Sequence, residues 1–519
     1  MGRSWRWAIS RSPLARASGT FTVADDAGRL EPGGGEQRGG DVERSVLPPV
    51  RRPTELERLA DWFDGRTGFG RYARMALRKV FPDHWTFLLG EVALFCFVIL
   101  LATGVFMTFF YTPDSRPTTY HGPYAPLAGA QVSAAFESVM RLSFEVRAGL
   151  LMRQIHHWTA LVFLGSIGVH LARVFFTGAF RRPRDINWLI GVTLLLLALA
   201  EGFTGYSLPD DLLSGTGLRI AYSAALSIPF IGPWLASLIF GGEFPTLELI
   251  SRLFVFHVML LPGLLIGAIG THLLIVYVQT HTQYKSRATR EDNVVGLPFW
   301  PGQVFRSVGL LFLTAAVIAL IAGLIQINPV WLYGPFIPYA VSSPAQPDWY
   351  VGWLEGLLRL GLPFEPTILG VTIPSPFIPG IVIPGILFTI LLLWPFIEAR
   401  ATGDHAEHHL LDWPWESPIR TATGAAGIAL FLVITLAGGN DVIGVFLNVP
   451  VETLTAILRV LFVVLPVATW LLIYWLASSQ RRRRAAGADT SHIRAGGVAI
   501  RRTATGGFEE IDAIEGDAD

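Results

Sequence analysis

Eight runs of about twenty apolar residues, each long enough to cross ~30 Å of hydrocarbon as a helix, dominate this chain of 519 residues. They begin near Trp85, Gln154, Ile186, Leu253, Val304, Pro379, Ala425 and Leu454. In lipid, each backbone polar group must be satisfied inside its own segment, so runs of this kind fold as helices. The sequence therefore predicts an all-α, polytopic membrane protein. Its 51% hydrophobic and 15% charged residues are too apolar for a soluble domain of this size. The formal charge is zero, so no basic excess points to nucleic acid. The lone Cys96 excludes a disulfide framework, a four-thiolate metal site and an iron–sulfur cluster held by this chain alone.

The charges that do occur are sorted by side. Arg173, Arg181, Arg182 and Arg184 follow the second span, Lys285, Arg287 and Arg290 follow the fourth, and Arg481 to Arg484 follow the eighth. Alternating helices put all three groups on one face of the membrane, and the positive-inside rule assigns that face, with both termini, to the cytoplasm. The outer connections, residues 112–152, 209–251 and 328–378, are long and rich in Pro, Gly and aromatics, as expected of a roofed site. Pro344, Pro347, Pro363, Pro366, Pro374 and Pro376 break the third of these into short pieces. Residues 1–80 have no signal-peptide pattern and read as a largely disordered cytoplasmic arm; residues 481–519 read as a second such tail. Between them lie a first four-span part, 81–290, and a second, 291–480.

Ionisable residues within spans are costly, so function is the default explanation for each. The second span holds His156, His157 and His170; the fourth holds His257 and His272. At 100° per residue, fourteen steps return a side chain to within about 40° of its starting azimuth and fifteen to within about 60°, whereas thirteen miss by about 140°. His156 therefore shares a face with His170, and His157 does not. His257 and His272 roughly share another, and each pair is separated by about 21 to 23 Å along its helix. The two helices run in the same direction, so His156 meets His257 near the outside and His170 meets His272 near the cytoplasm. The expectation is two metal centres, one per leaflet, each held by two imidazoles.

Gly90 and Gly104 in the first span, and Gly191 and Gly205 in the third, repeat the fourteen-residue interval. A missing side chain at each level leaves room for a flat macrocycle, although glycine also serves ordinary helix packing in membranes. Arg153, Arg173 and Arg252 lie within a turn or so of His156, His170 and His257, where they fit haem propionates or simply snorkel to the interface. Without a cofactor, the same spans would read as a secondary transporter that relays protons through intramembrane His and Asp.

Taken together, Arg153-Gln-Ile-His156 with His170-Leu-Ala-Arg173, Gly205 to Pro209, Arg252 with His257 and His272, Pro298 to Pro301, and Pro347-Asp348-Trp349-Tyr350 resemble the cytochrome b family of quinol–cytochrome c reductases. The similarity runs from about Trp85 to Ala477. A haem-bearing dehydrogenase anchor would lack the last four spans and the Pro-Asp-Trp-Tyr loop. The fifteen-residue interval is similar to the photosynthetic and Gram-positive branch, yet all eight spans lie in one chain. Where that branch attaches an extra haem through cysteine, this chain has Leu88, so no haem bound through Cys is expected and Cys96 reads as a packing residue. The Arg-rich start, the Leu208 to Asp211 run and the His405, His408, His409 loop look most like actinobacterial members. Those three histidines read as a solvated loop rather than a metal site.

The resemblance implies two non-covalent haem b groups and a quinol-oxidising site on the outer side. There the carboxylate of Asp348 takes a quinol proton and Tyr350 helps to gate the site. The family usually has Glu at this position and Asp occurs in relatives that use menaquinol, so the resemblance points to menaquinol. One electron would go to a Rieske iron–sulfur partner, the other through both haems to a cytoplasmic-side quinone site, with proton translocation. Gly217 lies where quinone approaches the outer site, although Asp210 replaces the Trp that usually follows Pro209. His281, Arg306 and Glu91 are candidates for the inner quinone site, and Glu201 for a second proton carrier or an arginine partner. The implied setting is a homodimer in the bacterial plasma membrane. Its partners would be a c-type cytochrome subunit, the surrounding membrane lipid and a haem-copper oxidase in a supercomplex.

Overall fold

The computed structural model describes residues 54–340, 346–368, 370–489, 498–502 and 508–512. Pro344, and the arm as far as residue 53, lie outside the described residues. The chain divides into two units, Met1–Phe69 and Gly70–Asp519. In the first, within the stretch read as a largely disordered arm, residues Glu55–Thr67 form a helix. Thr54 and Glu57 close a capping box around its first turn, and Gly68 ends it in the left-handed conformation, φ 63°. A second helix, Phe69–Leu77, follows. The C-terminal tail also departs from expectation, because the last helix continues to Asp489 and strands Val498–Arg502 and Phe508–Asp512 pair antiparallel.

Among the described residues, eight helices are long and apolar enough to cross a membrane: Trp85–Thr108, Gly149–Phe176, Asp185–Ser207, Leu249–Gln279, Phe299–Leu324, Ile378–Thr402, Pro418–Gly438 and Val451–Ala485. The first packs on the second and the third on the fourth, with the second touching the third; this is the expected four-helix bundle. The fifth lies against the first two, the sixth against the third, and the seventh and eighth pair with each other. Large apolar side chains such as Val98, Phe312, Leu320 and Leu472 point outward, as lipid-facing positions must.

Within the fourth span, residues Phe256–Leu260 form a π-helical turn. A π-turn accommodates an additional residue in the helix. It therefore absorbs the fifteenth step between His257 and His272, which a uniform α-helix would leave about 60° out of line.

On the arginine-rich side, strand Gln283–Tyr284 pairs in parallel with Leu410–Leu411. Buried Arg420, at the start of the seventh span, is ion-paired with Glu398 and Asp412. On the opposite side the Pro-rich connection forms a short helix, Trp349–Leu360, laid across the seventh span. This crossing is close because its contact residues have no side chains. A methyl group on Gly356 would strike the Ile434 carbonyl, and one on Gly438 the Gly352 carbonyl. Neither obstacle is a rotatable side chain. Gly356→Ala should therefore displace the surface helix and lower stability by on the order of 1–3 kcal/mol, read as a lower thermal unfolding midpoint. An unchanged midpoint would show that the crossing can relax.

Candidate functional site

Each of the four histidines faces one of the four glycines. A Cβ on Gly104 would sit 3.4 Å from the His156 ring, one on Gly90 3.2 Å from His170, and one on Gly191 3.6 Å from His272; on Gly205 it would overlap the His257 ring. The His156 and His257 rings face each other across the bundle with centroids 6.3 Å apart and planes at 72°. Imidazole nitrogens bind metals at ~2.0–2.1 Å, so two rings gripping one ion from opposite sides need about this separation.

Midway between the two histidine levels the bundle is solid. Phe97, Phe163, Ala198 and Leu265, one from each of the first four spans, pack with Cys96 into one buried cluster. Each lies seven or eight residues from the histidine or glycine above and below it. The bundle thus holds two levels of imidazole separated by an apolar floor. Cys96 is fully buried, as expected of a packing residue.

At the level away from the arginine-rich side, His156 Nδ1 lies 2.9 Å from the Thr103 hydroxyl. His257 Nδ1 meets both the Glu201 carbonyl and its carboxylate at 3.1 Å. Glu201 therefore pairs with a histidine, not with an arginine as one expectation had it. At the other level, Nδ1 of His170 and of His272 finds no hydrogen-bond partner among the described residues. Those rings open into a cavity of about 790 Å³ that also includes Gly90, Gly191 and Arg173.

The arginines behave unequally. Arg153 is buried and donates to the Asn328 carbonyl at 3.0 Å, yet its Nε and second terminal nitrogen have no partner among the described residues. Arg173 stacks over Phe87 at 4.2 Å and likewise leaves two buried nitrogens unpaired among the described residues. Buried guanidinium N–H groups without acceptors are costly, and acidic groups of a bound cofactor would satisfy them. Arg252 is different: it is exposed and donates to the Leu238 carbonyl at 3.2 Å.

The Pro347-Asp348-Trp349-Tyr350 segment opens the surface helix and reaches the second span. Asp348 Oδ1 lies 2.9 Å from Nε2 of His157, with both side chains largely buried. Sequence reasoning set His157 aside because it faces away from His170, and missed what it faces instead. Tyr350 is buried and donates to the Gly202 carbonyl at 3.1 Å; burial and the neighbouring Asp348 push its phenol well above the usual range, so it remains a neutral donor. Trp349 lies against the second span at Gly165. Nearby, burial pushes Asp211 up to about 6, against the hydrogen bonds it accepts from Ser214 and the charge of Arg153. Gly217 packs against the Tyr206 ring, 3.3 Å from where a Cβ would be.

His281, Arg306 and Glu91 all line the cavity on the arginine-rich side. Burial, with Lys79, Arg184 and Arg173 nearby, pushes His281 down to about 4, so its ring is neutral and its Nδ1 is unpartnered. Arg306 pairs with Asp83 and Glu91 bonds Gln303 and Ser307, both at 2.7 Å. His408 pairs with Asp404 and His409 with Arg184, and no group of three or more His, Cys, Asp or Glu side chains placed to hold a metal occurs among the described residues.

Residues 161–335 match the family described as cytochrome b (N-terminal)/b6/petB. The chain is 44% identical to the cytochrome bc1 complex cytochrome b subunit of Streptomyces coelicolor over 456 residues, 88% of this chain and 83% of that one. The subunit of the same name in Mycobacterium tuberculosis is 47% identical over 440 residues, 84% of this chain and 80% of that one. Among solved structures, a chain of a hyperthermophilic respiratory Complex III shares the fold, with TM-score 0.59 at 20% identity, covering 81% of this chain and 100% of that one. The chain belongs to the cytochrome b family, with the cytochrome b subunits of actinobacterial cytochrome bc1 complexes, which are quinol–cytochrome c oxidoreductases and carry haem b.

Proposed function

We propose that this subunit oxidises menaquinol on the outer side of the bacterial plasma membrane. One electron goes to a Rieske iron–sulfur partner and the other to a quinone site on the arginine-rich, cytoplasmic side, with protons released outside and taken up inside. The observation that carries this reading is the matched set of four imidazoles over four glycines. His156 and His257 would hold one haem b and His170 and His272 the other, with Arg153 and Arg173 supplying cations for their propionates. The haems, when bound, provide one-electron redox centres on the two sides of the apolar floor. Arg252, exposed and engaged with Leu238, is the weaker propionate candidate.

At the outer site the chain's own residues handle the proton. Asp348 accepts one from a quinol hydroxyl, and His157 fixes the carboxylate through the 2.9 Å contact. Tyr350, neutral and anchored on Gly202, walls the site, with Pro347 and Trp349 setting the entry to the helix; Gly217 keeps the approach clear. On the inner side His281, Arg306 and Glu91 would face the quinone. The resemblance supports a wider assembly of a homodimer with a c-type cytochrome subunit, joined to a haem-copper oxidase.

Replacing Asp348 by Asn keeps the side chain's shape and removes the acceptor, so quinol oxidation by the purified complex should fall about 10²-fold or more with the visible haem bands intact. Full turnover in that variant would take Asp348 out of the proton path. A redox titration of those bands should resolve two b-type centres. The one beside Glu201 should be lower, since a carboxylate on Nδ1 stabilises the oxidised, more positive iron. Glu201→Gln should raise that midpoint and leave the other in place; equal movement of both, or of neither, contradicts the assignment.

A further inference from the structure

A second, separate pocket of about 530 Å³ lies at the arginine-rich ends of the spans, lined by Lys285, Trp413, Trp415, Glu416, Arg481 and Arg484. Three parts of the chain build it. Lys285 follows the strand Gln283–Tyr284, six residues past the end of the fourth span. Trp413, Trp415 and Glu416 belong to the turn that leads into the seventh span at Pro418. Arg481 and Arg484 are on the last turns of the eighth.

Its walls are ordered. The Trp413 and Trp415 rings stack with centroids 5.3 Å apart and planes 6° apart, and Trp413 leans on Tyr284 at 5.4 Å. The Arg484 guanidinium lies 4.1 Å over the Trp415 ring. Lys285 engages the acidic groups, with its Nζ 2.7 Å from Glu416 and 3.6 Å from Asp412. Among the described residues, no carboxylate lies within ion-pair distance of Arg481 or Arg484.

We propose that this pocket binds the phosphate headgroup of an anionic phospholipid from the leaflet on the arginine-rich side. Guanidinium forks match phosphate oxygens two at a time. Stacked tryptophans belong at headgroup depth, and basic pockets between span ends on this side take anionic lipid headgroups. Glu416, held by Lys285, leaves both arginines free for the phosphate. The location at the ends of three spans favours a lipid over a soluble anion, because acyl chains can follow the adjoining helices into the bilayer. The inference is independent of the quinol chemistry.

The test uses the full chain in its purified complex, stripped of loosely held lipid and titrated with phosphatidylglycerol or cardiolipin in neutral detergent micelles, with bound lipid counted by native mass spectrometry. The double variant Arg481→Gln, Arg484→Gln is compared with Arg482→Gln, Arg483→Gln, which removes the same charge outside the pocket lining. The first should bind one site's worth of anionic lipid roughly thirty-fold more weakly, and the second should match wild type. Equal loss in both variants would mean diffuse charge attraction, and no loss in the first would mean no site; either overturns the proposal. Displacement of the bound lipid by millimolar inorganic phosphate would identify a free-anion site instead and also overturn it. The haem bands report whether each variant has folded.

Discussion

Neutral imidazole can be kept inside a lipid-embedded bundle only if something is provided for it to bind and room is left for that partner. This chain leaves the room with one device, a ring over a bare backbone, used four times. Glycine every fourteen residues on the first and third spans holds open the volume that histidine every fourteen or fifteen on the second and fourth then faces. The same interval sets Phe97, Phe163, Ala198 and Leu265 halfway between the levels. Leaving room beside each imidazole and filling the bundle between the levels are thus solved at alternate heights of the same four helices. The remaining spans pack around this bundle and carry the loops that complete its two ends.

Much of this was legible in the sequence because lipid removes alternatives. With no water to satisfy the backbone, long apolar runs must be helices, and a helix of known pitch turns residue intervals into faces and heights. The four pairs of glycine and histidine could be placed on that basis alone. The π-turn at Phe256–Leu260 could not, and it is what reconciles fifteen residues with fourteen. Periodicity arguments assume a uniform helix, and a local change of pitch leaves no trace in hydropathy.

Contacts between distant segments were the other blind spot. His157 and Asp348 are 191 residues apart, and nothing in either local pattern says that the surface helix will lie across the seventh span with its first residue over the second. The signal that existed was negative: a second histidine beside His156, pointing away from the pair and still inside a span. Such a residue needs a partner, and the carboxylate of the Pro-Asp-Trp-Tyr segment was the available one. The helix Glu55–Thr67 was missed for a different reason. Its capping box, Thr54 with Glu57, was readable, but it sat in an Arg- and Gly-rich region whose composition argued for disorder.

The adjacency of His156 and His157 has a mechanical consequence. Successive residues of a helix project about 100° apart, so one turn of the second span presents one imidazole to the bundle interior and the next to the outer loop. His156 is fixed by Thr103 and His157 by Asp348, and neither can rotate with the helix without moving the other. In the proposed function this joins proton acceptance at Asp348 to the outer redox centre through a single rigid turn of backbone. The distance between the two is then set by helix geometry and not by a flexible loop. The Gly352, Gly356 and Gly438 crossing supplies the second constraint, pinning the carboxylate's own helix against the seventh span. In the proposed function, an outer site built this way would hold its proton acceptor in register with its electron acceptor even though the segment that carries the carboxylate is a Pro-rich connection between spans.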